Sequence, residues 1–437
     1  MKISNWGNYP VIDAEMVTPS SYDQVKQIAL RSPSLIARGL GRCYGDSSLN
    51  EKIISTTRLN HIVSFDEKNG ILCCEAGVSL EEILDVFVPR GWFLPVTPGT
   101  KFVTIGGAVA SDVHGKNHHQ AGSFCNYVHS LRLMLSDGKI IFCSKEENRD
   151  IFEATCGGMG LTGIILEATF QLIKIETAYI RQKIEKAKNL EQIFQLFEAS
   201  NNSTYTVAWI DCLQKGNHLG RSVMIRGEHA LAKEIPAVKN PLILPEKMKF
   251  NIPFNFPNIS LSAFSVKIFN EIWNLKYGFV PSIIDYNTFF YPLDSILHWN
   301  RLYGKNGLAQ YQCLFSKESS YEAIKELLEI ISKSGEGSPL GVLKLFGKQN
   351  GILSFPQEGY TLALDFPVRN SVFQLFQKLD EVVMKYNGRI YLTKDSRMST
   401  EVFKHGYRND LPSFQIVKRR IDKENKFQSL QSRRLEI

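Results

Sequence analysis

The chain lacks the sequence features of membrane-spanning, secreted and disulfide-rich proteins. No stretch approaches the roughly 18 consecutive apolar residues that a membrane-spanning helix needs, and the opening MKISNWGNYP has no apolar signal core. We therefore expect neither an integral membrane protein nor signal-peptide export. The cysteines form no CxxC pair, which predicts free thiols in a cytoplasmic protein. Hydrophobic residues make up 43% and charged residues 22% of the 437 residues, so we expect a folded protein of two to three domains.

The chain also has little net charge outside its tail. Lys and Arg number 51 and Asp and Glu 44, which gives +7, and the last 24 residues contribute +4 of it. A basic tail could contact nucleic acid or an anionic membrane. We favour a solvated helix face with Leu430 and Leu435 packed on the body, and no nucleic-acid motif is present, so no nucleic-acid partner is predicted.

Local signals predict an α+β protein. Ser21 caps a helix that runs to about Arg31, Ser79 caps a helix through Val88, and Asp137-Gly138 forms a hairpin turn between two apolar runs. After Ile175 the pattern becomes aromatic-rich, and a last strand is expected near Tyr391. We predict three regions: residues 1–175, an inserted substrate domain at 176–386, and a return to the first domain at 387–437.

Three glycine-rich segments dominate the first region. The third contains a formal GxGxxG at Gly158, Gly160 and Gly163, but a helix-like stretch precedes it and an apolar strand follows. A Rossmann fingerprint needs the reverse order, so that interpretation fails, and no GxxxxGK[ST] phosphate loop is present. Successive glycines still expose backbone N–H groups that bind anions, and three such loops favour a bound phosphate-bearing cofactor over simple tight turns.

The same segments resemble a known family. ARGLGRCYGD, PGTKFVTIGGAVASDVHGKNHHQAGSF and GGMGLTGIILEATF resemble the FAD-binding PCMH-type domain of the vanillyl-alcohol oxidase flavoproteins. The stretches AWIDC, GRSVMIRG, YPLDSILHWNRLYG, AQYQC, KLFG and YLTKDSR extend the resemblance, in order, to the branch that oxidises polyprenylphosphoryl-ribose. The resemblance implies a two-subdomain FAD-binding domain with an inserted α+β cap domain, and FAD as the cofactor.

The resemblance also implies which residues hold FAD. The cofactor-binding residues would be Ala37, Arg38, Gly39, Leu40, Gly41, Arg42, Cys43, Tyr44, Gly45, Asp46, Ser47, Gly99, Thr104, Ile105, Gly106, Gly107, His114, Gly115, Lys116, Asn117, Ile164 and Tyr391. Covalent members of the family attach the flavin through a histidine in the first glycine loop. Arg42 and Cys43 occupy that place here, which predicts non-covalent FAD.

Two residues are the catalytic candidates. His114 follows a run of small residues and could polarise the flavin or help move a proton; alternatively it only bonds its own loop. Lys394 could stabilise negative charge on a reduced flavin or bind a phosphate; alternatively it is exposed and paired with Asp395. His118 and His119 are adjacent and have no carboxylate partner motif, so no metal site is predicted.

The substrate residues come from all three regions. By the resemblance, Gln310, Gln312 and Lys344 lie on a substrate-facing sheet of the second region, Tyr44 borders the sugar site, and Lys394 lies in a polar turn after the last strand. The branch also carries an asparagine and a cysteine in its last substrate-side strand, where this chain has Thr361 and Ala363, so the sugar stays open.

The implied function is an FAD-dependent oxidase or dehydrogenase acting on CH–OH groups. The expected reaction converts a polyprenyl-phosphate ribose to its 2-keto form, the first half of an epimerisation that a separate NAD(P)-dependent keto-sugar reductase would complete. The alternative is a soluble aldonolactone or alditol oxidase, and a purely structural FAD is disfavoured.

A lipid-linked substrate also predicts contact with the inner face of the membrane. Residues 251–264 offer Phe254, Phe256, Leu261 and Phe264 without an acidic residue between them, near lysines that would favour anionic lipid. Whether these aromatic residues touch lipid or form a lid over the pocket stays open at this stage.

Overall fold

A computed structural model describes residues 1–257, 261, 265–268, 270–271, 282–349 and 351–437 of the chain. Helices and strands are mixed along the chain, with several runs of consecutive strands and a helical C-terminus, and the predicted α+β class is confirmed. Among the described residues, no helix combines the length and apolar character that crossing a bilayer requires.

The first region carries short strands and five helices among its described residues. The strands are β1 (Lys2–Ile3), β2 (Ile12–Asp13), β3 (Glu15–Val17), β4 (Ile36–Arg38), β5 (Lys52–Ser55), β6 (Ile62–Asp66), β7 (Ile71–Glu75), β8 (Trp92–Phe93), β9 (Val128–Met134), β10 (Ile140–Ser144), β11 (Ile164–Gln171) and β12 (Ile173–Lys174). The helices are α1 (Tyr22–Arg31), α2 (Leu80–Phe87), α3 (Ile105–Ala110), α4 (His118–Ala121) and α5 (Arg149–Thr155).

The remainder of the chain supplies the longer strands. They are β13 (Tyr179–Ala187), β14 (Tyr205–Ile210), β15 (Ser222–His229), β16 (Phe250–Asn251), β17 (Ser282–Asp285), β18 (Ile296–Leu297), β19 (Leu308–Ser316), β20 (Gly341–Phe346), β21 (Gly359–Pro367) and β22 (Arg389–Ile390). The helices among the described residues are α6 (Leu190–Ala199), α7 (Tyr286–Phe290), α8 (Ser320–Ser334), α9 (Asn370–Lys385), α10 (Thr400–Gly406), α11 (Leu411–Ile421) and α12 (Leu430–Leu435).

These strands form three main sheets. A parallel sheet has the order β3-β5-β4, and an antiparallel sheet has the order β10-β9-β11-β7-β6. An eight-stranded sheet has the order β17-β13-β15-β14-β20-β21-β19-β22. The first two sheets lie wholly within residues 1–175, and the large sheet begins at β13. This distribution supports the boundary that we propose near residue 175.

Local sequence signals explain several element ends. Ser79 and Glu82 form the expected capping box of α2, and Gly91 ends the following turn with a φ of 81°. The Asp137-Gly138 turn joins β9 to β10, as predicted. Gln24 is the exception to the expected box at α1, because its side chain accepts from the backbone N–H of Ser20 rather than Ser21.

The C-terminal region divides between two parts of the molecule. Strand β22 bonds to β19 in the large sheet, so the last strand does not join the sheets of the first region. The tail that follows does return there, since Lys426 and Gln428 bond to Leu35 on both sides of its peptide. Leu435 is fully buried and Leu430 is packed against the main core, as expected for a helix face on the body.

Candidate active site

One large cavity separates the first region from the eight-stranded sheet, with a volume of about 1220 Å³. We call its two sides the cradle wall and the sheet wall. The cradle wall consists of residues 37–48 and 98–116, and the sheet wall consists of the inward-facing side chains of β14, β19, β20 and β21 with residues 391–394. Residues 288–303 close a third side, which we call the rim segment.

Glycine residues in the cradle wall allow the two loops that form it to approach each other closely. A Cβ on Gly39 would lie 2.1 Å from Oγ1 of Thr104, so the first and second glycine loops touch there. That hydroxyl also caps α3 by accepting from the N–H of Gly107 at 3.2 Å. A Cβ on Gly99 would meet nothing within 4 Å, and one on Gly107 would meet no atom closer than 3.2 Å. Gly99 therefore leaves space that the described residues do not fill, whereas a Cβ on Gly107 would lie tightly against Thr104.

Most of the predicted cofactor residues line this cavity. They are Ala37, Arg38, Gly39, Leu40, Gly41, Arg42, Cys43, Tyr44, Ser47, Gly99, Thr104, Gly106, Gly107, His114, Lys116 and Tyr391. The predicted substrate residues Tyr44, Gln310, Gln312, Lys344 and Lys394 line it too. The structure thus brings side chains separated by up to 357 positions in sequence, from Ala37 to Lys394, onto one space.

Six predicted residues lie outside the cavity wall: Gly45, Asp46, Ile105, Gly115, Asn117 and Ile164. The structure gives them supporting positions. Asp46 pairs with Arg434 at 2.8 Å, and Asn117 donates to the carbonyl of Pro95 at 2.8 Å. Ile164 is fully buried in β11 opposite Met134, while its neighbours Gly163 and Ile165 reach the cavity.

The third glycine segment is a turn between a helix and a strand. It follows α5 and leads into β11, which is the order that excludes a Rossmann fingerprint. Gly157 and Gly160 both have φ of 77°, a conformation that favours glycine. A Cβ on Gly163 would come within 2.6 Å of the carbonyl oxygen of Met134. Backbone geometry accounts for these glycines.

His114 lies at the centre of the cavity, bonded to the sheet wall. The amide of Gln312 donates to its Nε2 at 3.1 Å and to Oγ1 of Thr361 at 3.2 Å. That arrangement places the ring proton on Nδ1, which is buried and has no hydrogen-bond partner. Burial, together with the positive charge of Lys344, lowers the pKa of His114 well below its usual value. The imidazole is therefore neutral.

Lys394 lies against Tyr44 rather than in solvent. Its Nζ is 3.8 Å from the centroid of the Tyr44 ring, and no described residue accepts a hydrogen bond from it. Burial lowers the pKa of Lys394 to about 8, and the negative charge of Asp365 opposes that shift. Asp395 bonds instead to Arg434, at 2.8 Å.

Two further lysines make the cavity electropositive. Burial, with repulsion from Lys394, lowers the pKa of Lys344 to about 8. Burial, with repulsion from Lys344, lowers the pKa of Lys116 to about 7, and its ammonium donates to the carbonyl of Phe289. Closely spaced cations of this kind need an anion to offset their repulsion.

Asp365 is a site residue that the sequence analysis did not single out. It faces Gln310 across the β19–β21 ladder, and the Gln310 amide donates to its carboxylate. Burial raises the pKa of Asp365 to about 6. Tyr303 is a second residue that the sequence analysis did not single out. Its hydroxyl is buried and has no hydrogen-bond partner among the described residues, and it lies close enough to Asp365 for the two groups to interact electrostatically. Alternation along β21 was an available signal for Asp365, since it shares a face with Thr361 and Ala363.

The cavity fits the expected cofactor. Its volume exceeds the roughly 300–1,000 Å³ of an ordinary ligand site, which leaves room for a dinucleotide and a substrate together. The open side of Gly99 allows the backbone there to approach a pyrophosphate. The buried, unpartnered Nδ1 of His114 provides a hydrogen-bond donor to a ring edge.

Comparison with known proteins agrees with this geometry. Residues 14–144 match the FAD binding domain family. The decaprenylphosphoryl-β-D-ribose oxidase of Mycolicibacterium smegmatis is 35% identical over 450 aligned positions, which cover 100% of this chain and 97% of that protein. An uncharacterised protein in the mprA 5′ region of Streptomyces coelicolor is 30% identical, covering 82% of this chain and 100% of it. A provisionally named D-arabinono-1,4-lactone oxidase of Neurospora crassa is 24% identical over only 44% of this chain.

Proposed function

This chain belongs to the decaprenylphosphoryl-β-D-ribose oxidase family, and we propose that it oxidises the C2 hydroxyl of a ribose joined to a polyprenyl phosphate. It is an FAD-dependent oxidoreductase, as the FAD binding domain and the full-length relative show. The observation that carries the proposed substrate is the polar centre of the sheet wall. Gln310, Lys344, Asp365 and Lys394 there offer hydrogen-bonding and charged groups to a hydroxylated, anionic ligand.

The reaction removes a hydride from C2 and a proton from its hydroxyl, which leaves a ketone. When bound, FAD accepts the hydride. Asp365 is the proton acceptor that we propose, either directly or through one water molecule, because it is a carboxylate above pH 6 and faces the cavity. His114 is neutral and donates from Nδ1, so it orients a ring rather than accepting this proton.

Lys394 has a second role in the same proposal. Negative charge grows on the acceptor side as the hydride leaves the sugar, and a nearby ammonium stabilises it. Lys394 is suited to this role because its Nζ lies 3.8 Å from the centroid of the Tyr44 ring and no described residue accepts a hydrogen bond from it. Lys344 adds positive charge from the neighbouring strand.

Anaerobic reduction of the flavin tests the substrate. Farnesylphosphoryl-ribose and decaprenylphosphoryl-ribose should bleach the bound flavin, and mass spectrometry should find a product that has lost two hydrogen atoms. Free aldonolactones and alditols are the comparison set, since the partial similarity to a lactone oxidase favours them as the second candidate. Bleaching by a free lactone but by neither lipid-linked sugar would replace the proposed substrate with that candidate.

We also propose that FAD is bound without a covalent link. Arg42 and Cys43 occupy the positions of the first glycine loop where covalent relatives carry histidine, and both line the cavity. Acid precipitation should release the yellow colour completely into the supernatant. Flavin fluorescence on the denatured polypeptide in a gel would contradict this.

A 2-keto product requires a second enzyme to consume it. We propose a separate NAD(P)-dependent reductase that returns the ketone to an alcohol of inverted configuration. Coupled assays should then show oxidation of NADPH or NADH only when both proteins and the lipid-linked sugar are present.

Contact with a membrane surface is the last part of the proposal. Met248, Phe250 and Phe254 are 82%, 65% and 63% exposed, which is unusual for such large apolar side chains. Phe254 stacks on Phe256 with centroids 5.6 Å apart, and Leu261 turns inward to the cavity. Phe264 lies outside the described residues. The exposed apolar strip, residues 248–254, supports the proposed lipid contact, and Leu261 is the residue of this segment that lines the pocket.

A further inference from the structure

Arg42 lies in the cavity wall with its hydrogen-bonding capacity unused. No described residue accepts a hydrogen bond from its guanidinium or forms an ion pair with it, and its Nε is buried without a partner. The guanidinium carbon is 4.2 Å from the ring centroid of Trp6 and 5.2 Å from that of Phe102. The guanidinium is therefore packed against two aromatic rings, and neither ring supplies a carboxylate or carbonyl acceptor.

A half-buried, always-charged group without a partner is costly to the fold. The acid that acts most strongly on Arg42 is Asp294 of the rim segment, yet its Oδ2 accepts from the backbone N–H of Lys101 at 2.8 Å. Burial lowers the pKa of Arg42, and Asp294 opposes that shift only in part. The environment of Arg42 is therefore suited to an anion that the chain itself does not supply.

The position of Arg42 distinguishes it from the lysines deeper in the cavity. Phe102 contacts both Arg42 and the exposed Lys249, whose Nζ is 5.5 Å from the same ring centroid. Lys249 belongs to the strip that carries Met248 and Phe250. Tyr44, two residues after Arg42 in the chain, contacts Lys394. Arg42 is thus connected to the apolar strip through Phe102 and is close in sequence to the residue that contacts Lys394.

We propose that Arg42 binds the phosphate that joins the sugar to its lipid, with Trp6 and Phe102 holding the guanidinium in place. This assignment rests on the proposed function, because only a lipid-phosphate sugar has an anion between a polar and an apolar end. An arginine presents two parallel N–H groups that match phosphate oxygens, whereas a lysine presents a single point of charge. The pyrophosphate of FAD carries the same chemistry, so an experiment must separate the two sources.

Binding of farnesyl phosphate and of farnesol to the FAD-loaded enzyme, measured by calorimetry, makes that separation. Arg42→Met retains the apolar stem between the two rings, and Arg42→Lys retains the charge without the planar fork. Arg90→Met is the matched control, since Arg90 also stacks on an aromatic ring, 5.6 Å from Phe87, at an exposed position. FAD content is measured for each variant from the visible absorbance.

We expect Arg42→Met to lower the affinity for farnesyl phosphate about 10- to 100-fold, because charge-assisted hydrogen bonds to the phosphate are lost. The affinity for farnesol and the FAD content should stay unchanged. Arg42→Lys should lie between wild type and Arg42→Met. With farnesylphosphoryl-ribose as substrate, KM should rise by a similar factor and the limiting rate of flavin reduction should change less than about threefold.

Three results would overturn the assignment. Loss of FAD from both Arg42 variants would assign the guanidinium to the cofactor pyrophosphate. An equal loss of affinity for farnesyl phosphate and farnesol would mean that the Arg42 variants had lost packing against the lipid chain. An unchanged affinity for farnesyl phosphate would mean that Arg42 does not contact the phosphate. Farnesyl phosphate carries no sugar, so its binding does not depend on whether the enzyme oxidises the proposed sugar. The two proposals can therefore fail independently.

Discussion

The two walls of the cavity are built in different ways. The cradle wall comes from two loops close together in sequence, and its key positions have no side chain at all, as at Gly39 and Gly107. The sheet wall comes from β14, β19, β20 and β21, and its key positions are long polar side chains. The cradle wall therefore depends on the absence of side chains, which lets Gly39 approach Thr104 and leaves Gly99 open, and the sheet wall depends on charge and hydrogen bonds. Substitutions should affect binding in the first and chemistry in the second.

The largest effect on cofactor binding is expected at Gly107. A Cβ there would lie 3.2 Å from Oγ1 of Thr104, and valine adds further atoms at a residue that lines the cavity, so Gly107→Val should fold but retain less than about a tenth of its FAD. FAD content after gel filtration and thermal unfolding of the cofactor-free protein measure the two effects.

Gly45→Ala supplies the contrast, because Gly45 belongs to the first glycine segment but lies outside the cavity wall. A Cβ there would lie 1.9 Å from the carbonyl oxygen of Asp395, so this variant should lose stability even without cofactor. Full FAD occupancy in Gly107→Val would show that FAD binding does not require glycine at position 107.

Lys394 tests the sheet wall. Lys394→Ala should keep FAD bound but slow flavin reduction by lipid-linked ribose about 100-fold, since it removes a cation that stabilises developing charge. Lys394→Arg, which keeps the charge, should recover part of the rate. A wild-type rate of reduction in Lys394→Ala, measured by anaerobic stopped flow, would remove this residue from the chemistry.

The pH dependence tests Asp365 and Lys394 together. The pKa of Asp365 is raised to about 6, so its carboxylate is protonated and inactive as a proton acceptor below that pH. The pKa of Lys394 is lowered to about 8, so its positive charge is lost above that pH. The rate of flavin reduction should rise through about pH 6 and fall through about pH 8.

Asp365→Asn removes only the acidic limb of that profile. We expect a rate at pH 7 lower by about 10-fold or more, and no remaining inflection near pH 6. The basic limb should persist, because Lys394 is unchanged. An acidic limb that survives in Asp365→Asn would assign the proton to another group.

The smallest effect is expected outside both walls, on the exposed strip. Phe254→Ser with Phe256→Ser should reduce co-sedimentation with anionic liposomes about threefold, with unchanged FAD content. Phe142→Ser is the matched control, since Phe142 is 45% exposed and lies on β10, in a different sheet. Equal sedimentation of wild type and the double variant would argue against the membrane contact.

The sequence predicted the two walls to different extents. The glycine segments and VHGKNHH located the cradle wall because its residues are nearly contiguous and their type is dictated by steric space. Alternation in AQYQC placed Gln310 and Gln312 on one face of β19. Neither signal identified Asp365 or Tyr303. Alternation along β21 puts Asp365 on the same face as Thr361 and Ala363, but alternation does not show which face of a strand lines a cavity.

By itself, the sequence determined the α+β class, the FAD cofactor, the reversed context of the GxGxxG segment and most residues of the cradle wall. Only the tertiary structure decided that Asp365 faces Gln310, that Ile164 lies outside the cavity, and that Arg42 contacts Trp6 and Phe102 with no hydrogen-bond or ion-pair partner among the described residues. Local patterns report backbone conformation and the residue types that it tolerates. The side chains of β19, β20 and β21 meet in the cavity because of the register between these strands and because one face of the sheet is enclosed. No local stretch of sequence contains that information.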